Sequence, residues 1–399
     1  MIYQNLLIVI VFVLLFSLFS KRIEKTVFSG PFLALFVGLI FGPALLNVID
    51  IKIESEDYRI IAELALALVL FSDASKTNLS VLKKNAAIPI RLLLIGLPLT
   101  ILLGMFSGFF LFKDFSWIEL GILATMLAPT DAALGKAVVT NPAVPSKIRE
   151  ALNVESGLND GISVPVLFLF IALFDSISSG GLDSFYGIKL LIQEIGIGLL
   201  VGLSVTYVVA KLANYANKNA WISDSWQQVV LIALAFTCFI VAQISGGSGF
   251  IACFAGGFLF GTLHSKFNKK IELFESLESA GDSMSLITWI LFSTFLGIAI
   301  PQFTWEIVLY SLLSLTVIRM LPVMLSLAKT DLTKKESLFI GWFGPRGLAT
   351  IVFAVIVLDV DSPNKEVILL TTICTVLFSV ILHGFTAIPF IKRLFKSES

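Results

Sequence analysis

Long apolar segments follow one another along the whole chain and leave little room for a soluble fold. Hydrophobic residues make up 57% of the 399 residues and charged residues 14%, against about 25% charged residues in soluble domains. A helix of about 20 apolar residues crosses a bilayer core. Thirteen segments qualify, at roughly 2–20, 26–46, 58–74, 86–112, 117–139, 148–174, 187–213, 226–244, 249–264, 284–300, 303–327, 337–358 and 366–388. The sequence therefore predicts an all-α integral membrane protein, a single polytopic domain over 1–399 with about 13 transmembrane helices.

Basic residues divide unequally between the two sets of connections. Of the 28 lysines and arginines, 21 fall in one set of alternate connections and 5 in the other. Because short cytoplasmic connections carry the excess of positive charge, we expect the N-terminus outside and the C-terminus in the cytoplasm, in the cell inner (plasma) membrane. Residues 264–284 mix lysines and glutamates with apolar residues, which predicts a short amphipathic helix on the cytoplasmic surface.

The fifth and twelfth segments are interrupted where a membrane helix should be regular. The fifth contains Pro129 and Gly135, and the twelfth contains the run Gly344-Pro345-Arg346-Gly347. Proline removes a backbone donor and glycine loosens a helix. Each break lies in the second span of a three-span group, 4–6 or 11–13. This pairing predicts inverted repeats with a transport site at the two broken helices; the alternative is a pair of ordinary proline kinks.

Charged and polar side chains cluster in the sixth segment, which is otherwise apolar. Glu155 and Asn159 are four residues apart, as are Ser156 and Asp160, so each pair shares one face of a helix. Ionisable groups inside a membrane are costly and usually mark an ion or proton path. The cluster therefore predicts an ion-carrying site; for Asp160 the alternative is a hydrogen-bonded structural carboxylate.

These motifs resemble those of the monovalent cation/proton antiporters of the NhaP branch, which are related to sodium/proton exchangers. The resemblance extends in order along nearly the whole chain. It rests on the runs Ala128-Pro129-Thr130-Asp131, Glu155-Ser156-Gly157-Leu158-Asn159-Asp160, Ile318-Arg319-Met320-Leu321-Pro322-Val323, Gly344-Pro345-Arg346-Gly347-Leu348 and His383-Gly384-Phe385-Thr386. The implied fold is the NhaA-like antiporter fold, in which two broken helices cross. The resemblance also implies a homodimer, with 86–174 and 303–390 as the mobile ion-binding core and 1–85 and 187–300 as the dimerisation scaffold.

The resemblance implies a role for each residue of the clusters. Asp160 is expected to carry either the cation or the proton, and Asn159 stands where an electrogenic branch has a second aspartate. Ser156 and Thr130 are expected to offer oxygens to the cation. Asp73 stands near a position where relatives carry a glutamate, which makes it a further candidate ligand.

Four charged residues are expected to shape the site. The resemblance implies a buried ion pair between Glu155 and Arg319. Asp131 and Arg346 are each placed to neutralise the end of a broken helix, and direct binding of the cation by Asp131 is the alternative. Alanines and a leucine follow Asp131, where the usual pattern is Pro-Val-Ala-Val, so the pattern leaves the preferred ion open.

The predicted function is electroneutral exchange of sodium or lithium for a proton by alternating access at Asp160. Potassium/proton exchange is the first alternative. A sodium-coupled solute symporter or an ion channel on a similar fold is the second. Neither a nucleophile–base pair nor a metal triad is visible in the sequence, which argues against an enzyme. The expected partners are monovalent cations, protons and the lipid bilayer, without a cofactor and without nucleic acid.

Overall fold

The computed structural model shows an all-helical protein. It describes residues 2–23, 26, 28–49, 56–76, 87–131, 133–178, 184–263 and 270–395. In chain order the α-helices are α1 (Ile2–Ile23), α2 (Gly30–Phe41), α3 (Glu56–Lys76), α4 (Ala87–Arg91), α5 (Leu97–Leu111), α6 (Trp117–Met126), α7 (Lys136–Val139), α8 (Ser146–Ser178), α9 (Ser184–Lys218), α10 (Asp224–Ile244), α11 (Gly249–Leu263), α12 (Lys270–Thr294), α13 (Leu296–Ala299), α14 (Trp305–Leu315), α15 (Val317–Leu327), α16 (Lys334–Trp342), α17 (Leu348–Val357) and α18 (Lys365–Phe395).

Many of these helices have the length and composition of membrane spans. Within the described ranges, eight helical stretches are long and apolar enough to cross a membrane, and four apolar helices are shorter. Each of the thirteen predicted segments overlaps a helix or an interrupted helix. The prediction of an all-helical multi-pass membrane protein is therefore confirmed, and the count of about thirteen crossings stays a prediction.

Both predicted interruptions lie at real gaps between helices. The first break, 127–135, separates α6 from α7, and residue 132 within it lies outside the described residues. The second break, 343–347, separates α16 from α17. Both α6 and α16 begin with a capping box, in which a hydroxyl and a glutamate three residues later satisfy each other's backbone amides. Local sequence thus specifies where each broken helix starts as well as where it stops.

Three features differ from the sequence expectations. A π-helix, Leu92–Gly96, joins α4 to α5, and a break at Thr316 separates α14 from α15. Neither feature was expected from the positions of proline and glycine. The separate surface helix expected at 264–284 is wrong over its described part. There α12 is one helix that continues into the tenth predicted segment, because no proline interrupts its sequence.

By their contacts the residues form two compact groups. The first contains 1–60, 85–159 and 286–399, and the second contains 61–84 and 160–285. Helix α8 runs from one group into the other, with the boundary between Asn159 and Asp160. The division into a mobile core and a dimerisation scaffold is a statement about motion and assembly, and it stays a prediction.

The first group has a continuous apolar core beside the second break. Residues of α8, α15, α16 and α18 meet there, and aromatic rings fill it. Phe339 and Phe343 lie with ring centroids 4.5 Å apart, and Phe339 also meets Phe395 edge-on at 4.9 Å. This core holds the end of α16 that leads into the break.

The second group packs its helices through glycines. A side chain at Gly202 of α9 would overlap the backbone of Ala252 in α11. Gly257 and Gly261, also in α11, face the backbone of α3 at Phe71 and Ser75 in the same way. Small residues allow close backbone approach, which is a main source of attraction between helices in lipid.

Candidate functional site

The two breaks touch each other through their backbones. The amide of Asp131 in the first break donates to the carbonyl oxygen of Pro345 in the second, at 2.7 Å. Gly347 lies so close to the Asp131 carboxylate that a β-carbon at this position would overlap it. The first and second breaks therefore form a crossing, and glycine at 347 is what allows the close approach.

Asp131 uses both carboxylate oxygens on backbone amides. One oxygen, Oδ2, accepts from the amide of Leu348, the first residue of α17, at 2.8 Å. The other, Oδ1, accepts from Ala133 at 2.7 Å and from Leu134 at 3.1 Å. The first amides of a helix have no partner within it and carry partial positive charge. Asp131 thus supplies a negative charge and an acceptor at the start of α17.

Arg346 of the second break binds backbone carbonyl oxygens of the first break. Its side chain is 0% exposed, and Nη1 donates to the carbonyl oxygens of Ala128 at 2.8 Å and Pro129 at 2.9 Å. These carbonyls lie just beyond the end of α6, where partial negative charge collects. Each break therefore provides the charge that stabilises a helix end at the other break.

Thr130 connects the first break to the polar cluster of α8. Its carbonyl oxygen accepts a hydrogen bond from the hydroxyl of Ser156 at 2.5 Å. Its own hydroxyl accepts from the side-chain amide of Asn159 at 2.7 Å. The side-chain oxygen of Asn159, Oδ1, is buried and accepts no hydrogen bond from the described residues. Thr130, Ser156 and Asn159, which the sequence predicts as site residues, are thus in contact through their oxygen-bearing groups.

Glu155 and Arg319 are in direct contact. Arg319 Nη2 lies 2.6 Å from Glu155 Oε1, and both side chains are only 2% exposed. Arg319 also lies against the second break, since a β-carbon on Gly344 would come 2.5 Å from its Nε. The ion pair therefore lies between α8, α15 and the second break.

Asp160 and Asp73 belong to the second group of residues. Asp160 directly follows Asn159 in α8, one turn beyond Ser156, and is 7% exposed. Asp73 lies near the end of α3 and is partly buried. Their roles as carrier and as a further ligand stay predictions.

Sequence analysis did not single out Ser379, although it holds the second break. Its hydroxyl accepts from the backbone amide of Arg346 at 2.6 Å. One helical turn further on, His383 Nε2 lies 2.9 Å from the carbonyl oxygen of Trp342, the last residue of α16. Ser379 lies four residues before His383, which belongs to one of the runs that carry the resemblance, and their shared helix face is the signal that could have pointed to Ser379.

Crossed helix breaks with buried charges at membrane depth are the architecture of secondary transporters, and similarity to known proteins agrees. The sequence pattern of the family described as "Sodium/hydrogen exchanger, transmembrane" matches residues 7–393. The chain belongs to this family of membrane transporters. The predicted family, and the prediction of a transporter rather than an enzyme, are thereby confirmed.

Several relatives with assigned names match most of the chain. A Na⁺/H⁺ antiporter of Schizosaccharomyces pombe is 26% identical, over 94% of this chain and 87% of its own length. The Na⁺/H⁺ antiporter NhaH of Halobacillus dabanensis is 29% identical over 68% of this chain and 67% of its own. The K⁺/H⁺ antiporter NhaP2 of Shewanella sp. (strain MR-4) is 24% identical over 86% of this chain and 59% of its own.

The fold also matches a solved structure. The sodium proton antiporter MjNhaP1 from Methanocaldococcus jannaschii superposes with a TM-score of 0.76, over 96% of this chain and 99% of that chain, at 22% sequence identity. The antiporter fold is thereby confirmed, while the repeat relationship within it stays a prediction.

The ion pair leads to a prediction about stability. Glu155→Ala and Arg319→Ala should each lower the free energy of unfolding by about 3–5 kcal/mol, because each leaves a buried charge without its counter-charge. Thermal unfolding of the purified variants in one detergent, followed by tryptophan fluorescence, measures the loss. A double-mutant cycle should show strong coupling.

An exposed ion pair provides the matched control. Arg59 and Asp359 are in contact with side chains 38% and 63% exposed, and exposed pairs contribute about 0–1 kcal/mol. Asp359→Ala should therefore change the unfolding temperature little. Equal losses in Glu155→Ala and Asp359→Ala, or additive effects of the Glu155 and Arg319 substitutions, would show that the buried pair is not a structural unit.

Proposed function

We propose that this chain is an electroneutral antiporter that exchanges one sodium or lithium ion for one proton, with Asp160 as the carrier. The observation that carries the proposal is that two acidic side chains at the crossing have structural partners. Asp131 is committed to three backbone amides and Glu155 to Arg319. Neither is free to exchange a proton for a cation without breaking the crossing. Family membership supplies the class of reaction.

The oxygens that Thr130, Ser156 and Asn159 bring together suit a hard cation. Sodium, like calcium and magnesium, prefers oxygen ligands, and a monovalent ion needs fewer charges among them. Thr130, Ser156 and Asn159 bring together two hydroxyls, a carbonyl and a buried amide oxygen. We propose that Ser156 and Thr130 contribute ligands next to Asp160. Asp73 remains a further candidate from the resemblance alone.

Competition for one negative charge couples the two fluxes in this proposal. A proton or a cation neutralises Asp160, and an empty, charged Asp160 is costly to carry through the membrane interior. If the site switches between the two sides of the membrane only when Asp160 is occupied, each cation carried in one direction is matched by one proton carried in the other. Asn159 is neutral, so no second charge crosses in this scheme.

The arrangement of the spans is part of the proposal. Both broken helices start with a capping box, Ser116 with Glu119 and Thr333 with Glu336, which supports an inverted repeat of spans 4–6 and 11–13. We infer thirteen crossings with the N-terminus outside and the C-terminus in the cytoplasm of the plasma membrane. In a homodimer, 86–174 and 303–390 would move against the scaffold.

Potassium/proton exchange is the second candidate. The observation that favours it is the K⁺/H⁺ activity in the name of the NhaP2 relatives. The departure from Pro-Val-Ala-Val after Asp131 lies next to the proposed ligands, where it can alter the ion preference. Pulses of sodium, lithium and potassium applied to the same proteoliposomes, with a pH dye inside, decide between the two candidates.

Replacing the carrier tests the mechanism. Asp160→Asn should abolish cation-driven proton flux in proteoliposomes while leaving the protein folded, because the amide keeps the volume but neither charges nor titrates. Asp160→Glu should keep partial exchange with altered ion affinity. Asp175→Asn is the matched control, since Asp175 lies exposed near the end of the same helix. Cation-driven proton flux by folded Asp160→Asn would rule out Asp160 as carrier.

The stoichiometry gives a second prediction. With one titrating carboxylate, one cation replaces one proton, so an imposed membrane potential should leave the exchange rate nearly unchanged. A net charge would instead gain about 2.3 kcal/mol at 100 mV. Valinomycin and a potassium gradient set the potential in sodium-loaded liposomes, and the same gradient without valinomycin controls for potassium/proton exchange. Proton movement driven by the potential alone would mean that a second group, Asp131 or Glu155, also carries charge.

A further inference from the structure

Glu119 is a buried carboxylate in the first turn of α6, away from the crossing. It is 2% exposed. Its Oε2 accepts from the backbone amide of Ser116 at 2.8 Å and from the Ser116 hydroxyl at 2.9 Å. The bond from the Ser116 amide, together with the Glu119 amide donating to Ser116 Oγ at 3.2 Å, makes the capping box of α6. Both bonds to Oε2 leave the other carboxylate oxygen for a different partner.

The other oxygen binds the connection between α17 and α18. Glu119 Oε1 accepts from the hydroxyl of Ser362 at 2.5 Å and from the side-chain amide of Asn364 at 3.1 Å. The same amide group of Asn364 donates to the carbonyl oxygen of Asp114 at 3.1 Å. Each partner of the carboxylate is a donor. A glutamine at this position would turn an N–H group towards other donors and could not reproduce the arrangement.

In the part of the chain that the structure describes, the corresponding glutamate of the second broken helix makes no such connection. Glu336 Oε2 accepts from the amide of Thr333 at 2.7 Å and from its hydroxyl at 2.8 Å, as Glu119 does with Ser116. Among the described residues Thr333 is the only hydrogen-bond partner of this carboxylate. The two capping boxes have the same chemistry, but Glu119 is buried and also bonds to a second element, whereas Glu336 is only half-buried.

Two helices joined at one point can change the angle between them, whereas a second attachment away from that point fixes the angle. The broken helices are joined at the crossing by Asp131 and Arg346. The Glu119 clamp, defined as Glu119 with its partners Ser116, Ser362 and Asn364, joins the start of α6 to the chain just beyond the end of α17. It is a second attachment between the same two broken helices.

We propose that Glu119 is a positioning residue whose clamp fixes the angle between the two broken helices, so that they move as one body during exchange. This inference rests on the proposed antiport. The ligands at the crossing keep their own bonds when the clamp is lost. The clamp therefore governs the rate of the conformational step and leaves cation affinity unchanged.

The test compares variants at the two capping boxes in proteoliposomes. Initial rates of cation-driven proton flux over a range of sodium concentrations give the turnover and KM of wild type, Glu119→Gln, Ser362→Ala and the matched control Glu336→Gln. Ser362→Ala removes the bond to Glu119 and the bond that the Ser362 hydroxyl accepts from the Asn364 backbone amide, and it leaves the capping box of α6 intact. Thermal unfolding of each protein establishes that it is folded.

Glu119→Gln should lower turnover about tenfold, equivalent to about 1.4 kcal/mol, with KM within about twofold of wild type. Ser362→Ala should act in the same direction but less, since Asn364 still donates to Glu119. Glu336→Gln should resemble wild type. In the double variant, the effects of Glu119→Gln and Ser362→Ala should not add.

Two results would overturn the clamp while leaving the antiport intact. One is equal turnover in Glu119→Gln and Glu336→Gln, and the other is a rise in KM in place of a fall in turnover. Wild-type protein without flux driven by sodium, lithium or potassium would instead contradict the proposed function, so the two failures are distinguishable.

Discussion

Interrupting a helix inside a membrane exposes backbone amides and carbonyls where no water replaces the lost hydrogen bonds. At the crossing, each break supplies hydrogen-bond partners for backbone groups of the other. Asp131 of the first break binds the amide that starts α17, and Arg346 of the second break binds carbonyls beyond the end of α6. Each break is stable only with the other in place, because each supplies the charge that the other's helix end requires. The polar cluster of α8 is built on this crossing through Thr130.

This arrangement separates charges that hold the structure from the charge proposed to move. Glu155, Arg319, Asp131 and Arg346 are engaged with one another or with backbone groups, and exchanging their partners would dismantle the crossing. Removing one member of a buried pair costs far more than the pair itself contributes. An antiporter can therefore keep several buried charges in structural roles and still transport a single one.

Sequence predicted the apolar helices of a multi-pass protein and the two breaks, because apolar length and proline or glycine position are local properties. The contact of Glu155 with Arg319 was expected from the resemblance, since nothing in spacing joins residues so far apart. Glu119 was missed for a physical reason. The Ser-x-x-Glu pattern predicts the cap of α6, but the reach to Ser362 depends on how α17 and α18 pack. The separation of α14 from α15 at Thr316 carries no proline or glycine and had no local signal.

The central claim is that a cation and a proton compete for one carboxylate. Proton release on cation binding tests it most directly: sodium is added to purified protein in weakly buffered detergent solution, and the liberated protons are measured with a pH indicator. At a pH where Asp160 is protonated, wild type should release about one proton per chain, and folded Asp160→Asn should release none. Sodium binding by wild type with no proton release, or equal release from Asp160→Asn, would contradict it.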